Sequence, residues 1–228
     1  MIVIPTPKNS IAGQAKIDRS AETRNRKELD VKRIYFLLWS CILLSACAAN
    51  RGASDVVQGR EALLAGNNQA ALIYFQQAEQ ADPDYIYGAE LREGVASFLG
   101  RAQYLTGNYP QARQTLQKAL SQHRTDNVAR LYLGLTLYRL GDQKAALTNI
   151  QRGLTGISNW LDYLSTNFAE EFGQDWDPAG TIRAGIRTDL NMISSSQIDW
   201  PKLIADGERL GLAIVQAEQN FRIPSLRG

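Results

Sequence analysis

Glycine recurs at a fixed spacing in this 228-residue chain, and this spacing constrains the fold more than any other feature. Three segments share one pattern: residues 59–83, 99–120 and 133–154. From the second to the third segment the glycines repeat every 34 residues, as from Gly107 to Gly141. From the first to the second the spacing is 41, and the seven extra residues fall near 85–91. A period of about 20 to 50 residues indicates stacked structural units. When the three segments are aligned, their glycines fall in two columns. The first column is Gly59, Gly100 and Gly134, and the second is Gly66, Gly107 and Gly141.

Apolar residues follow the second glycine column at matching places in each segment. An alanine comes first, and a large apolar residue comes four positions later. Small residues let two helices approach closely, and glycine adopts the positive φ of a tight turn at little cost. Each segment is therefore predicted to be two helices joined by a turn. The matching residues are Ala71, Ala112 and Ala146, then Phe75, Leu116 and Ile150.

This pattern resembles the tetratricopeptide repeat (TPR), a helix–turn–helix unit of about 34 residues. The resemblance implies an all-α fold, a TPR-type α-solenoid of about three helical hairpins spanning residues 55–156, with a concave surface. Residues 157–219 are expected to form a C-terminal helical cap, and residues 220–228 a tail. The alternative is a bundle of helical hairpins that do not stack as repeats.

Three polar residues predict where the C-terminal helices begin. Ser158 is expected to cap one helix. Asp177 with Pro178 predicts a second start, since proline is favoured in the first turn. Asp199 is expected to cap a third helix.

The resemblance also implies a binding groove, because repeats of this family usually bind peptides along the first helix of each unit. Arg60 and Arg101 each follow a column glycine, so we expect them to bind a carboxylate of the partner. Alternatively, they are solvated arginines with packed stems. The predicted groove residues are Arg60, Leu64, Arg101, Tyr104, Leu135, Tyr138 and Arg139.

A short apolar run before Cys47 has the layout of a secretory signal. Lys32 and Arg33 precede the run 34–46, which has 13 residues where a membrane-spanning helix needs about 20. Its end resembles the lipobox of bacterial lipoproteins, which implies cleavage before Cys47 and acylation of that cysteine. Since Ala48 stands where an aspartate favours retention in the inner membrane, the resemblance implies the outer membrane, facing the periplasm. The cleavage residues are Leu44, Ser45 and Ala46.

The residues around this signal give the remaining boundaries. Residues 1–30 are polar and precede the basic patch, and a GTG start codon would be read as valine, as at Val31, in a conceptual translation. We expect 1–30 to be a mis-annotated or disordered leader, 31–46 the signal peptide and 47–54 a lipidated linker.

Charge and residue counts argue against several classes of function. The whole chain has 25 Lys+Arg and 23 Asp+Glu. Residues 1–46 hold eight of the basic and four of the acidic residues, so residues 47–228 hold 17 basic and 19 acidic ones. This balance gives no support to nucleic-acid binding. With one histidine and two cysteines, the common catalytic constellations lack their parts, and we expect no catalytic site, metal or cofactor.

The sequence therefore predicts an adaptor or assembly factor in envelope biogenesis or secretion. It would bind a protein or peptide of the cell envelope and contact the lipid bilayer through acylated Cys47. One alternative is peptidoglycan or glycan binding through Arg60, Arg101, Tyr104 and Tyr138. Another is a glycan hydrolase that uses carboxylates such as Asp175 and Asp177.

Overall fold

Helical hairpins succeed one another along the chain, with bounds that follow the glycine columns. The computed structural model describes residues 51–88, 91–168, 175–195 and 197–225, with side chains as far as Asn220. The predicted leader, signal peptide and lipidation site lie outside these residues. The helices are α1 (51–64), α2 (Asn68–Ala81), α3 (Val95–Leu105), α4 (Tyr109–Gln122), α5 (Asn127–Arg139), α6 (Gln143–Asn167), α7 (Thr181–Ile193) and α8 (Trp200–Ser225).

The second glycine column forms the turns between paired helices. Gly66, Gly107 and Gly141 have φ values of 73°, 80° and 88°, a region that other residues rarely adopt. Two turns are reinforced by caps. The side chains of Asn67 and Asp142 accept hydrogen bonds from the backbone N–H groups of the next helix.

The first glycine column lies where the two helices of each hairpin touch. A Cβ on Gly100 would lie 2.5 Å from Cγ of Leu116, and one on Gly134 would lie 2.6 Å from Cγ1 of Ile150. At these distances a side chain would force the helices apart. The predicted close approach of small and large residues is therefore confirmed, as is the all-α fold of sequentially paired helices.

A small antiparallel pair of strands lies between the first two repeats, at and just after the place of the seven extra residues. Strands β1 (Ile86–Tyr87) and β2 (Glu93–Gly94) pair with Ile86 opposite Gly94 and Tyr87 opposite Glu93. Glu93 of β2 is buried.

The C-terminal helices differ in part from the predicted ones. Ser158 does not begin a helix, because α6 continues through it to Asn167. The next helix begins at Thr181 rather than Pro178, since Gly180 has a left-handed φ of 64°. Asp199 caps α8 as predicted, with Oδ1 accepting from the backbone N–H of Lys202 at 3.0 Å.

Helix α8 shares its core with the repeats. Leu203, Ile204 and Ile214 belong to the same buried cluster as Leu131 and Leu135 of α5. A second cluster lies around Phe75 and Phe98 in the first two repeats. Within the described ranges, every helix is too short or too polar to cross a bilayer.

Candidate functional site

Helix α8 crosses the face formed by the first helices of the repeats, which is the face predicted to bind a peptide. At one end, Trp200 stacks on Tyr138 with ring centroids 4.7 Å apart. Further along, a Cβ on Gly207 would lie 3.0 Å from Cδ2 of Leu135. A Cβ on Gly211 would lie 2.2 Å from the Tyr132 hydroxyl oxygen. The two glycines therefore let the backbone of α8 lie directly on α5.

Arg60 of α1 is buried, and α8 provides its partners. Nη1 lies 2.7 Å from Oε2 of Glu218, and Nη2 donates to the backbone carbonyl of Val215 at 3.3 Å. The guanidinium also lies 4.3 Å from the centroid of the Tyr87 ring. Arg60 therefore binds a carboxylate, as its position suggested, but one that belongs to its own chain.

Arg101 of α3 is also buried, and its carboxylate comes from the inserted strand β2. Nη2 lies 2.5 Å from Oε2 of Glu93, and the guanidinium lies between the rings of Phe98 and Tyr132. Burial has the largest single effect and lowers the pKa of Arg101. The charges of Glu93, Tyr132 and Asp126, together with the hydrogen bond to Glu93, outweigh it, so the pKa is raised overall. Nε and Nη1 have no hydrogen-bond acceptor among the described residues.

Asp126 brings a further buried carboxyl close to this pair. Its Oδ1 caps α5 by accepting from the backbone N–H of Ala129 at 2.8 Å. Burial, and then the negative charge of Glu93, raise the pKa of Asp126 to about 7. Glu93 thus compensates the buried charge of Arg101, and Asp126 adds a second carboxyl nearby that holds a proton up to about pH 7.

Tyr104 and Arg139, both predicted groove residues, converge on Glu208 of α8. The Tyr104 hydroxyl donates to Oε1 of Glu208 at 2.5 Å, and Arg139 Nη2 lies 3.2 Å from the same oxygen. Burial and the hydrogen bond to Glu208 raise the pKa of Tyr104. These contacts attach α8 to repeats two and three.

A cleft of about 390 Å³ remains between α8 and the repeats. Arg101 and Tyr132 line it, and Leu212 of α8 lies at its rim with 44% of its surface exposed. Leu64, predicted for the groove, is half-buried. The apolar lining residues are Leu63, Leu105, Leu212 and Val215.

The structure brings most of the predicted groove residues to one face, where α8 supplies many of their partners. Three residues were missed because they lie outside the repeats: Glu93, Glu208 and Glu218. The seven extra residues near 85–91 precede Glu93 and mark this part of the chain as a departure from the repeat. The sequence contains no comparable signal that places the two glutamates of α8 against the repeats.

Asp175 and Asp177, the two carboxylates considered as catalytic residues, differ in their burial and in their contacts. Asp175 is exposed, whereas Asp177 is buried and accepts from the backbone N–H groups of Ile182 and Arg183, each at 3.0 Å. Asp177 Oδ2 also lies 3.1 Å from Nε of Arg183. These contacts are those of a helix cap. In the part of the chain that the structure covers, no three His, Cys, Asp or Glu side chains are grouped so that they could hold a metal ion.

Comparison with known proteins identifies the repeats. A family model of the tetratricopeptide repeat matches residues 62–134, from the last turn of α1 into α5. Neither the curated proteins nor the solved structures gave a match. Residues 62–134 are thus a tetratricopeptide repeat region, and such a region suggests protein–protein interaction and implies a protein partner.

Proposed function

We propose that this chain is an outer-membrane lipoprotein that binds a protein partner in the periplasm, as an adaptor or assembly factor in envelope biogenesis or secretion. The observation that carries the proposal is the repeat match at residues 62–134. The lipobox-like residues before Cys47 support the anchor and the location. Anchoring would hold the repeats near membrane partners and raise their effective concentration.

The packing of α8 bears on where the partner binds. Leu203, Ile204 and Ile214 are 0–3% exposed, and burying such a side chain contributes about 1.5–3 kcal/mol. Together they contribute roughly 5–9 kcal/mol, comparable with the stability of a whole domain, about 5–15 kcal/mol. A partner would therefore bind with α8 in place rather than displace it.

The surface that suits this model is the cleft between α8 and the repeats. It offers apolar walls, the exposed Leu212, and two nitrogens of Arg101, Nε and Nη1, that lack acceptors among the described residues. A partner segment with an apolar side chain and a nearby carbonyl or carboxylate oxygen would match this lining. The glycan alternative receives less support, because Tyr138 stacks on Trp200 and Tyr104 bonds to Glu208.

Affinity capture from crosslinked cell envelopes tests the partner surface. The tagged full chain is compared with Leu212→Glu, which puts a charge at the rim of the cleft. Leu140→Glu is the matched control, because Leu140 is similarly exposed at 40% but does not line the cleft. We expect one discrete protein partner that is lost with Leu212→Glu and kept with Leu140→Glu. Equal capture by both variants would contradict this surface.

Fractionation of membranes tests the anchor. We expect the native chain in the outer membrane, bearing a lipid that mass spectrometry detects on the peptide that begins at Cys47. Cys47→Ser should give an unlipidated chain that leaves the outer-membrane fraction. An unmodified Cys47 in the native chain would refute the lipoprotein proposal.

A further inference from the structure

A second cleft, of about 380 Å³, lies between α7 and α8. Its volume is within the range of small-molecule sites, about 300–1,000 Å³. Apolar side chains such as Ile186 and Leu210 form part of its lining. Charged residues also surround this cleft, and the proposed binding of a protein partner does not explain their arrangement.

Asp189 of α7 lines this cleft and is 3% exposed. Its Oδ1 is buried and accepts no hydrogen bond from the residues that the structure describes. Burial raises the pKa of Asp189, while the charges of Lys202 and Arg209 lower it less strongly. A buried carboxylate oxygen without a donor is unfavourable, so a ligand that supplies one would be stabilised here.

The rim of the cleft has the opposite charge. Asp206 forms ion pairs with both Lys202 and Arg209, whose side chains are 48% and 76% exposed. Two cations thus share one carboxylate, and one positive charge is left over at the solvent side. The cleft is therefore negative where it is buried and positive at its rim.

Gly185 of α7 leaves the cleft open. A Cβ at this position would meet no described atom within 4 Å, so the backbone packing does not require glycine. Glycine in a helix interior is also less favourable than alanine. Its effect here is to leave space beside Asp189, four residues further along the same helix.

We propose that this cleft binds a small zwitterion, of the size of a free amino acid or a dipeptide. The ammonium group of the ligand donates to Asp189, and its carboxylate accepts from Lys202 and Arg209. Ile186 and Leu210 contact its apolar part. This cleft shares Arg209 with the lining of the partner surface, but Asp189, Ile186 and Lys202 line this cleft alone, and the inference does not depend on the proposed function.

Saturation-transfer NMR on the purified full chain tests the ligand class, because it detects weak binding. The probes are leucine and alanyl-alanine. N-acetyl-alanyl-alanine lacks the ammonium group, and alanyl-alanine amide lacks the carboxylate. We expect a zwitterionic probe to bind and each blocked analogue to bind about tenfold more weakly or worse, since each loses a charge-assisted hydrogen bond. Absence of binding by both zwitterions at millimolar concentrations, or equal binding of the blocked analogues, would overturn the proposal.

Two variants locate the binding. Asp189→Asn keeps the shape of the side chain and should weaken binding about tenfold or more. Gly185→Leu should abolish binding by filling the cleft, whereas Gly185→Ala adds one methyl group and should retain most of it. Thermal unfolding of each variant verifies that it is folded. Unchanged binding in Asp189→Asn and Gly185→Leu would place the ligand elsewhere and contradict the site.

Discussion

Arg60 in the first described helix and Glu218 in the last form a buried ion pair, with Nη1 and Oε2 2.7 Å apart. The two side chains are 4% and 3% exposed and come from positions 158 residues apart in the chain. The pair therefore fixes the far end of α8 against the first repeat. Arg60 is therefore already paired within the chain, although its position in the repeat would otherwise predict that it binds a partner.

Removing one member of this pair should destabilise the fold strongly. Glu218→Gln leaves the charge of Arg60 buried without its carboxylate, and breaking a buried pair in this way costs about 3–5 kcal/mol. Urea unfolding of the purified chain measures the loss. The double variant Arg60→Met, Glu218→Leu should lose much less, because it leaves no unpaired charge.

An exposed pair provides the control for that experiment. Lys118 and Glu79 lie 2.5 Å apart, with 47% and 22% of their side chains exposed. Lys118→Gln should change the free energy of unfolding by at most about 1 kcal/mol. If Glu218→Gln changed it as little, the ion pair with Arg60 would not hold α8 in place.

Two helical glycines should respond in opposite directions to the same change. Gly211→Ala places a Cβ 2.2 Å from the Tyr132 hydroxyl oxygen and should cost about 1–3 kcal/mol. Gly185→Ala meets open space and should stabilise the chain by up to about 1 kcal/mol. Thermal or urea unfolding measures both.

The loss in Gly211→Ala can be traced to its contact. Removing the hydroxyl with Tyr132→Phe should recover part of the stability, because the nearest clashing atom is then absent. If Gly211→Ala were as stable as the native chain, α8 would not lie on α5 at the described distance.

The buried carboxyl of Asp126 predicts a pH dependence of stability. Its pKa in the folded chain is about 7, above the ordinary value of about 3.9 for an aspartate. The folded state therefore keeps a proton that the unfolded state releases. This contribution is fully present below about pH 4 and is lost as the pH rises through about 7.

The variant Asp126→Asn isolates this contribution. Asparagine can still accept the hydrogen bond from Ala129 but does not titrate. Urea unfolding across this pH range should show stability falling with pH in the native chain and a flatter profile in the variant. Identical profiles would mean that Asp126 does not hold the proton.

The repeats could be predicted from sequence because their determinants are local. The turn glycines and the close helix contacts lie within single hairpins, so their spacing in the sequence sets their geometry. The sequence pattern also indicates that α6 continues past Ser158. Ile150, Leu154, Ile157, Leu161 and Leu164 form one buried stripe that passes Ser158 without a break. This stripe outweighs the capping tendency of a single serine.

The path of α8 could not be predicted in the same way. Its contacts with Arg60, Tyr104 and Tyr132 join residues far apart in sequence, and no repeat period relates them. Gly207 and Gly211 are four residues apart in the sequence, a spacing that favours close packing against a neighbouring helix but does not identify α5 as that helix. The sequence therefore predicted residues of the face formed by the first helices of the repeats, whereas only the structure placed α8 on it.

Hydrogen exchange of backbone amides in the full chain tests most directly whether α8 is a fixed part of this face. If it is, the amides of α8 around Gly207 and Gly211 exchange as slowly as those of α5, because both helices open only when the whole unit unfolds. Exchange in α8 that is orders of magnitude faster than in a protected α5 would contradict the account. The helix would then detach on its own, and the face formed by the first helices of the repeats would be open to a partner.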